Sequence, residues 1–227
     1  MTTRRARASA SFPAISSDPP PHTVFILSPA NLGGERGALI LRDGAGSPLA
    51  QQLRSQDGVP LREVFSFISS LYFRGKAAYA EAFGRPPPGL EATLVISPGE
   101  GLCAVNEPLT LARARAWAGV PIDERNADFT APLIRHAEDL ERGYGATTRF
   151  VLLGSVASNK YVRPLTRVFG DHLLFPPAFI GRGDMSRGGL LLRAVRERSE
   201  LGYVPVEGAI RHGPRVPRLP RLARRAG

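Results

Sequence analysis

"RFVLLGSVASNKYVRPLTRVFG" spans residues 149–170 and carries two patterns in succession. The first part, residues 149–158, carries an unbroken apolar run, Phe150 to Leu153, that stops at Gly154-Ser155. A strand with one wet face would alternate apolar and polar residues. An unbroken run suits a strand covered on both faces, as in a parallel sheet. From Ser158 the spacing becomes helical, with Tyr161, Leu165, Val168 and Phe169 on one face and Pro164 as an interruption.

The same alternation recurs on either side. Further apolar runs that stop at a small residue or proline are VFILSPA after His22-Thr23, TLVISPGEG (93–101), HLLFPPAF (172–179) and GYVPVEG (202–208). Helical segments lie between them: residues 59–84, ended by Gly84; 106–119, with Asn106 as cap and Pro108 in the first turn; 130–145, starting at Thr130; and 185–202, ending on Gly202. Strands alternating with helices predict an α/β domain of three layers. Its mostly parallel sheet would have about five strands, with helices on both faces.

Composition sets the outer bounds. The chain has 227 residues, 43% hydrophobic and 22% charged, which suits one domain with a full core. No apolar run reaches the roughly 18 residues that a membrane span needs. The arginines near the N-terminus are not followed by an apolar stretch, so that end does not read as a secretory signal. The single cysteine, Cys103, excludes an intramolecular disulfide and a cysteine-built metal site, and reads as a small core residue. A cytoplasmic location is expected.

The net charge of +10 is concentrated at the ends. Residues 1–12 hold three arginines and no acid, and residues 209–227 hold six arginines and no acid, so residues 13–208 are near neutral with 21 basic against 20 acidic side chains. The division is then a disordered, proline-rich basic lead (1–22), one α/β domain (23–208) and a basic tail (209–227). Prolines at every third position, 214, 217 and 220, predict extended polyproline II in that tail. Basic tails bind phosphate backbones without sequence preference, although an arginine-rich end can also be only a solvated one.

Ligands of open parallel sheets bind beyond the carboxyl ends of the strands. Here those ends are Ser28-Pro29-Ala30-Asn31, Ser97-Pro98-Gly99-Glu100-Gly101 and Gly154-Ser155. Ser28, Asn31, Ser97, Ser158 and Asn159 are the candidate polar groups of such a cleft, and Glu100 is its one candidate acid or base. Ser158-Asn159-Lys160 opens a helix, whose free N–H groups favour an anion. A helix starting near Ser186 would turn Arg187 toward the strand ends, among Leu190, Leu191 and Ala194. An inward guanidinium requires a phosphate-bearing ligand or a carboxylate such as Glu100. The four histidines lack ligand spacing, so no metal is expected, and no cofactor motif is present.

Several motifs in one order resemble the YaaA family of bacterial peroxide-stress proteins. They are Ile26-Leu27-Ser28-Pro29-Ala30; Phe73-Arg74-Gly75-Lys76 with Tyr79; Val156-Ala157-Ser158-Asn159-Lys160-Tyr161; Arg182-Gly183-Asp184-Met185-Ser186-Arg187 with Arg193; and Gly202-Tyr203. Asn31 stands where the family has a lysine, and Arg74-Gly75-Lys76 where it has Lys-Gly-Asp. The resemblance implies a cytoplasmic protein with a basic cleft that binds DNA and limits oxidative damage. Its phosphate contacts would come from Arg74, Lys76, Lys160, Arg182 and Arg187. Two other functions stay open: an enzyme acting on a nucleotide or nucleobase in the same cleft, and a structural or partner-binding relative without a ligand. The oligomeric state is not legible.

Overall fold

The computed structural model describes residues 22–217 and 219. The first half of the chain runs β1 (His22–Leu27), α1 (Glu35–Leu41), α2 (Pro48–Leu53), β2 (Val59–Pro60), α3 (Leu61–Phe83), β3 (Thr93–Ser97), β4 (Gly101–Ala104) and β5 (Pro108–Leu109). It continues through α4 (Leu111–Ala118), α5 (Ala127–Tyr144), β6 (Thr148–Leu153), α6 (Asn159–Phe169), β7 (Leu173–Phe175), α7 (Asp184–Glu197) and β8 (Val204–Pro205). The expected disordered lead, apart from His22, and most of the tail beyond Pro217 lie outside the described residues.

The protein is α/β, with a six-stranded sheet in the order β4-β3-β1-β6-β7-β8 and a separate two-stranded ribbon of β2 and β5. Strands β3, β1, β6 and β7 are parallel. The two edges, β4 and β8, run antiparallel to their neighbours. The unbroken apolar runs are the buried strands: β1, β3 and β6 have almost no exposed residue. Their pleat divides the core. Val24, Ile26, Ile96, Phe150 and Leu152 pack with residues of α5 and α6. Phe25, Leu27, Val95, Val151 and Leu153 pack with α3, α4 and α7. Helices therefore cover both faces.

Four details depart from the sequence reading. The stretch 93–101 is not one strand: it ends at Ser97 and turns back into β4, with Ser97 opposite Gly101. Gly101 has φ +84, and a Cβ there would lie 2.5 Å from the Pro132 carbonyl, so glycine is required. Pro108 belongs to a short strand rather than a helical turn, and Thr110 caps α4 by accepting from the Arg113 N–H. Helix α5 starts at Ala127, capped by Asn126, three residues before Thr130. Helix α7 ends earlier than Gly202, at Glu197, with Arg198 in the left-handed region.

The edge strand β4 is backed by α5, where the His136 Nδ1 accepts from the Leu102 N–H at 3.0 Å. The α3–α7 crossing is tight because two glycines meet there. A Cβ on Gly75 would lie 2.8 Å from the Gly188 carbonyl, and one on Gly188 would lie 2.7 Å from the Leu71 carbonyl. Helix α3 itself is broken at Ser70, whose φ of 42° and ψ of −116° are not helical. No helix of the described residues is long and apolar enough to cross a membrane.

Candidate functional site

The connection leaving β1 passes toward β3 on one side, while that leaving β6 passes toward β7 on the other. A crevice opens where two such connections diverge. Here it is a cavity of about 450 Å³, a size that suits a small-molecule ligand. Ser28, Pro29, Ala30 and Asn31 form one wall, and Ser155, Lys160 and Tyr161 another. Trp117, Val120, Pro121 and Ile122 supply an apolar side, and Ser69, Tyr72 and Asp184 come from α3 and α7. Polar hydroxyl and amide groups thus face aromatic and aliphatic surface across one opening.

Behind Ser28 lies Lys76, only 1% exposed. It sits on the inward stripe of α3 together with Tyr72, Tyr79 and Ala80. Its Nζ donates to the Ser28 carbonyl at 2.5 Å and lies 2.9 Å from Ser28 Oγ. The rings of Tyr72 and Phe73 lie 4.5 and 4.9 Å from the nitrogen. No carboxylate pairs with it among the described residues. Burial penalises the ammonium, and the field of Asp184 only partly offsets this, so the Lys76 pKa falls to about 7. An amine of that kind is partly neutral near neutral pH. It can take the proton of the serine hydroxyl that it touches.

Two tyrosines complete the surroundings. The Tyr72 hydroxyl is buried and has no hydrogen-bond partner among the described residues. Burial pushes the Tyr72 and Tyr161 pKa values up, so both hydroxyls stay protonated. Lys160 lies over the Tyr161 ring at 5.0 Å, at the mouth of the cleft.

The remaining sequence candidates are not in the cleft lining. Arg187 is 8% exposed; it donates to the Phe179 carbonyl at 3.3 Å and lies 3.6 Å from Asp184 Oδ1. Its expected acid, Glu100, is elsewhere. Arg182 binds the Ala178 carbonyl and Ser186 Oγ on the outer side of the same turn. Ser158 is exposed at the start of α6 without a side-chain cap bond, and Asn159 accepts from Arg211 at 3.0 Å. Neither lines the cleft. Arg74 is exposed on α3 and also lies outside it.

Glu100 and Ser97 are structural. Ser97 Oγ accepts from the Glu100 N–H at 2.9 Å and shapes the β3–β4 turn. Glu100 accepts from Arg113 and, at 2.9 Å, from the Trp117 indole. Arg113 beside it holds its carboxyl below the usual range. With Cys103 and Glu107 it forms the one group of described residues spaced like metal ligands. Arg113 already donates to both Glu100 and Glu107 and reaches Cys103 Sγ at 3.5 Å. A guanidinium therefore occupies the place a cation would take. The cluster's effect on the cleft is indirect: it holds Trp117 in the wall.

Sequence reasoning placed Ser155 at a ligand-binding strand end but missed Tyr72, Trp117, Tyr161 and Asp184 as cleft residues. The helical stripe of α3 could have shown that Lys76 and Tyr72 share the inward face. Nothing local announces Trp117. Comparison with protein-family models, with curated proteins and with solved structures gives no match to this chain.

Proposed function

We propose that the protein is an enzyme acting on a nucleotide or nucleobase held in the strand-end cleft, with Ser28 as the group presented to the ligand and Lys76 as its proton acceptor. The observation that carries this reading is the contact between a buried lysine without a carboxylate partner and a serine hydroxyl that lines a cavity. A lysine so placed is costly to bury unless its proton is used or removed. The cavity is consistent with a planar heteroaromatic ring between Trp117 and Tyr161, with Asn31, Ser155 and the Tyr72 hydroxyl as edge partners and Lys160 near an anionic substituent. Buried Cys103, unpaired in a disulfide, suits a reducing compartment, and the cytoplasm is part of the proposal.

The test is thermal stabilisation by a panel of nucleobases, nucleosides and nucleoside monophosphates, followed by product detection by NMR. At least one compound raises the melting temperature, and Ser28→Ala abolishes its turnover while retaining the shift. The reading is overturned if none of these stabilises the fold.

DNA binding of the kind the YaaA resemblance implies is the second reading. The half-buried Arg182 and Arg211 and the exposed Arg215, on one side of the domain, favour it. Duplex DNA would then bind with a steep salt dependence, and Arg182→Gln would flatten that slope.

A further inference from the structure

Beside the cleft, across the 155–157 loop and the turn into α7, lies a second cavity of about 390 Å³. Its lining includes Arg182, Arg187, Arg211, His212 and Arg215, and no carboxylate among the described residues lines it. The last three come from the chain after β8, which was expected to be a free tail. That segment is instead tied down: the Val216 N–H donates to the Gly181 carbonyl at 3.3 Å. Arg211 donates to the Val156 carbonyl and to Asn159 Oδ1. Gly181, at φ +71, meets the Pro214 carbonyl so closely that a Cβ would lie 2.1 Å from it.

Four guanidinium groups are thus brought to one concavity by two separate segments. Asp184 lies 3.6 Å from Arg187. Arg182 and Arg211 are held by neutral oxygens, which orient them without cancelling their charge. Arg215 has no hydrogen-bond or ion-pair partner among the described residues. The pocket also faces Gly183, the residue from which the 14-residue helix α7 starts, so the helix dipole adds to the same field. Guanidinium forks match tetrahedral oxyanions through paired N–H donors better than any other side chain does.

We propose that Arg182, Arg187, Arg211 and Arg215 form a binding pocket for a phosphate group, closed on one side by the chain after β8. The proposal deepens the nucleotide reading, because the pocket adjoins the cleft, but it does not need that reading to hold. A phosphate could arrive as part of a nucleotide or as part of a nucleic-acid backbone.

The experiment measures the melting temperature of the full chain with pyrophosphate, a nucleoside, the matching nucleoside diphosphate and a single-stranded oligonucleotide. It is run on wild type, on Arg211→Gln/Arg215→Gln and on the control Arg74→Gln. Pyrophosphate raises the wild-type and control melting temperatures by several degrees, and the double variant loses most of that shift. A diphosphate shift that falls in the double variant assigns the phosphate to a nucleotide. An oligonucleotide shift that falls, with none from the diphosphate, assigns it to a nucleic-acid backbone. No pyrophosphate shift in wild type, or an equal shift in the double variant, overturns the pocket. A nucleoside shift that survives in the double variant then leaves the cleft reading standing on its own.

Discussion

Lys76 on α3 places its Nζ 2.9 Å from Ser28 Oγ, behind the wall of the cleft, with no carboxylate among the described residues paired to it. Its pKa in the fold is about 7, below the ordinary 10.5. Between these values the unfolded chain holds a proton on Lys76 that the folded chain has released. Stability therefore rises as pH increases from about 7 toward 10. Urea unfolding of wild type between pH 6.5 and 9.5 shows that rise, and Lys76→Met flattens it. At pH 6.5 the variant is the more stable by about 1–3 kcal/mol, since an apolar chain replaces a buried charge. Parallel curves for the two proteins would contradict the placement.

The crossing of α3 and α7 depends on two absent side chains. Gly75→Ala and Gly188→Ala each push a methyl against backbone of the facing helix, which cannot give way as a flexible side chain would. Each costs about 2 kcal/mol or more in chemical denaturation. Gly143→Ala, where a Cβ meets nothing within 4 Å, is the control and leaves stability the same or slightly higher.

Arg113 holds two carboxylates, a backbone carbonyl and, at 4.9 Å, the Trp117 ring. Arg113→Ala leaves Glu100 and Glu107 close together without a cation. We expect a loss of about 2–3 kcal/mol and a shift in Trp117 fluorescence. The Glu100 carboxyl is held below its usual range in the fold, so its contribution is present above the ordinary carboxylate pKa. It disappears as pH falls through the lowered value. The variant accordingly loses less stability on acidification than wild type does.

Ser70 occupies backbone space that type II′ turns reserve for glycine. Ser70→Gly relieves that strain at the cleft edge and raises stability by about 1 kcal/mol in urea unfolding. A loss of stability on this substitution would show that the Ser70 side chain contributes more than the strain costs.

The layered fold was legible because burial on both faces forces unbroken apolar runs, as in Phe150 to Leu153. The hairpin at Gly99–Gly101 was not, since apolar residues continue through Leu102 and Cys103 and hide the reversal. Pro108 reads equally as a first helical turn or a strand residue until Val59 and Pro60, far away in sequence, are seen to pair with Leu109 and Pro108. In the site, the inward direction of Arg187 followed from helical spacing alone. Lys76 was read as a phosphate contact because its motif, Phe73-Arg74-Gly75-Lys76, resembles one of the YaaA family. Its place beside Tyr72 and Tyr79 on one helical stripe outweighs that. Glu100 was read as a candidate acid or base, or as a partner of Arg187, because its actual partner Arg113 lies on a different element, and pairing of that kind has no local signature.

The antiparallel edge strands have a consequence for association. A sheet edge ordinarily offers a row of unpaired N–H groups to another chain. On β4 the Leu102 N–H is already taken by the His136 imidazole. On β8, only two residues long, Pro205 has no N–H to offer. Among the described residues, each end of the sheet thus lacks one of the N–H groups that a strand from another copy of this chain would need, which disfavours growth of the sheet by edge pairing.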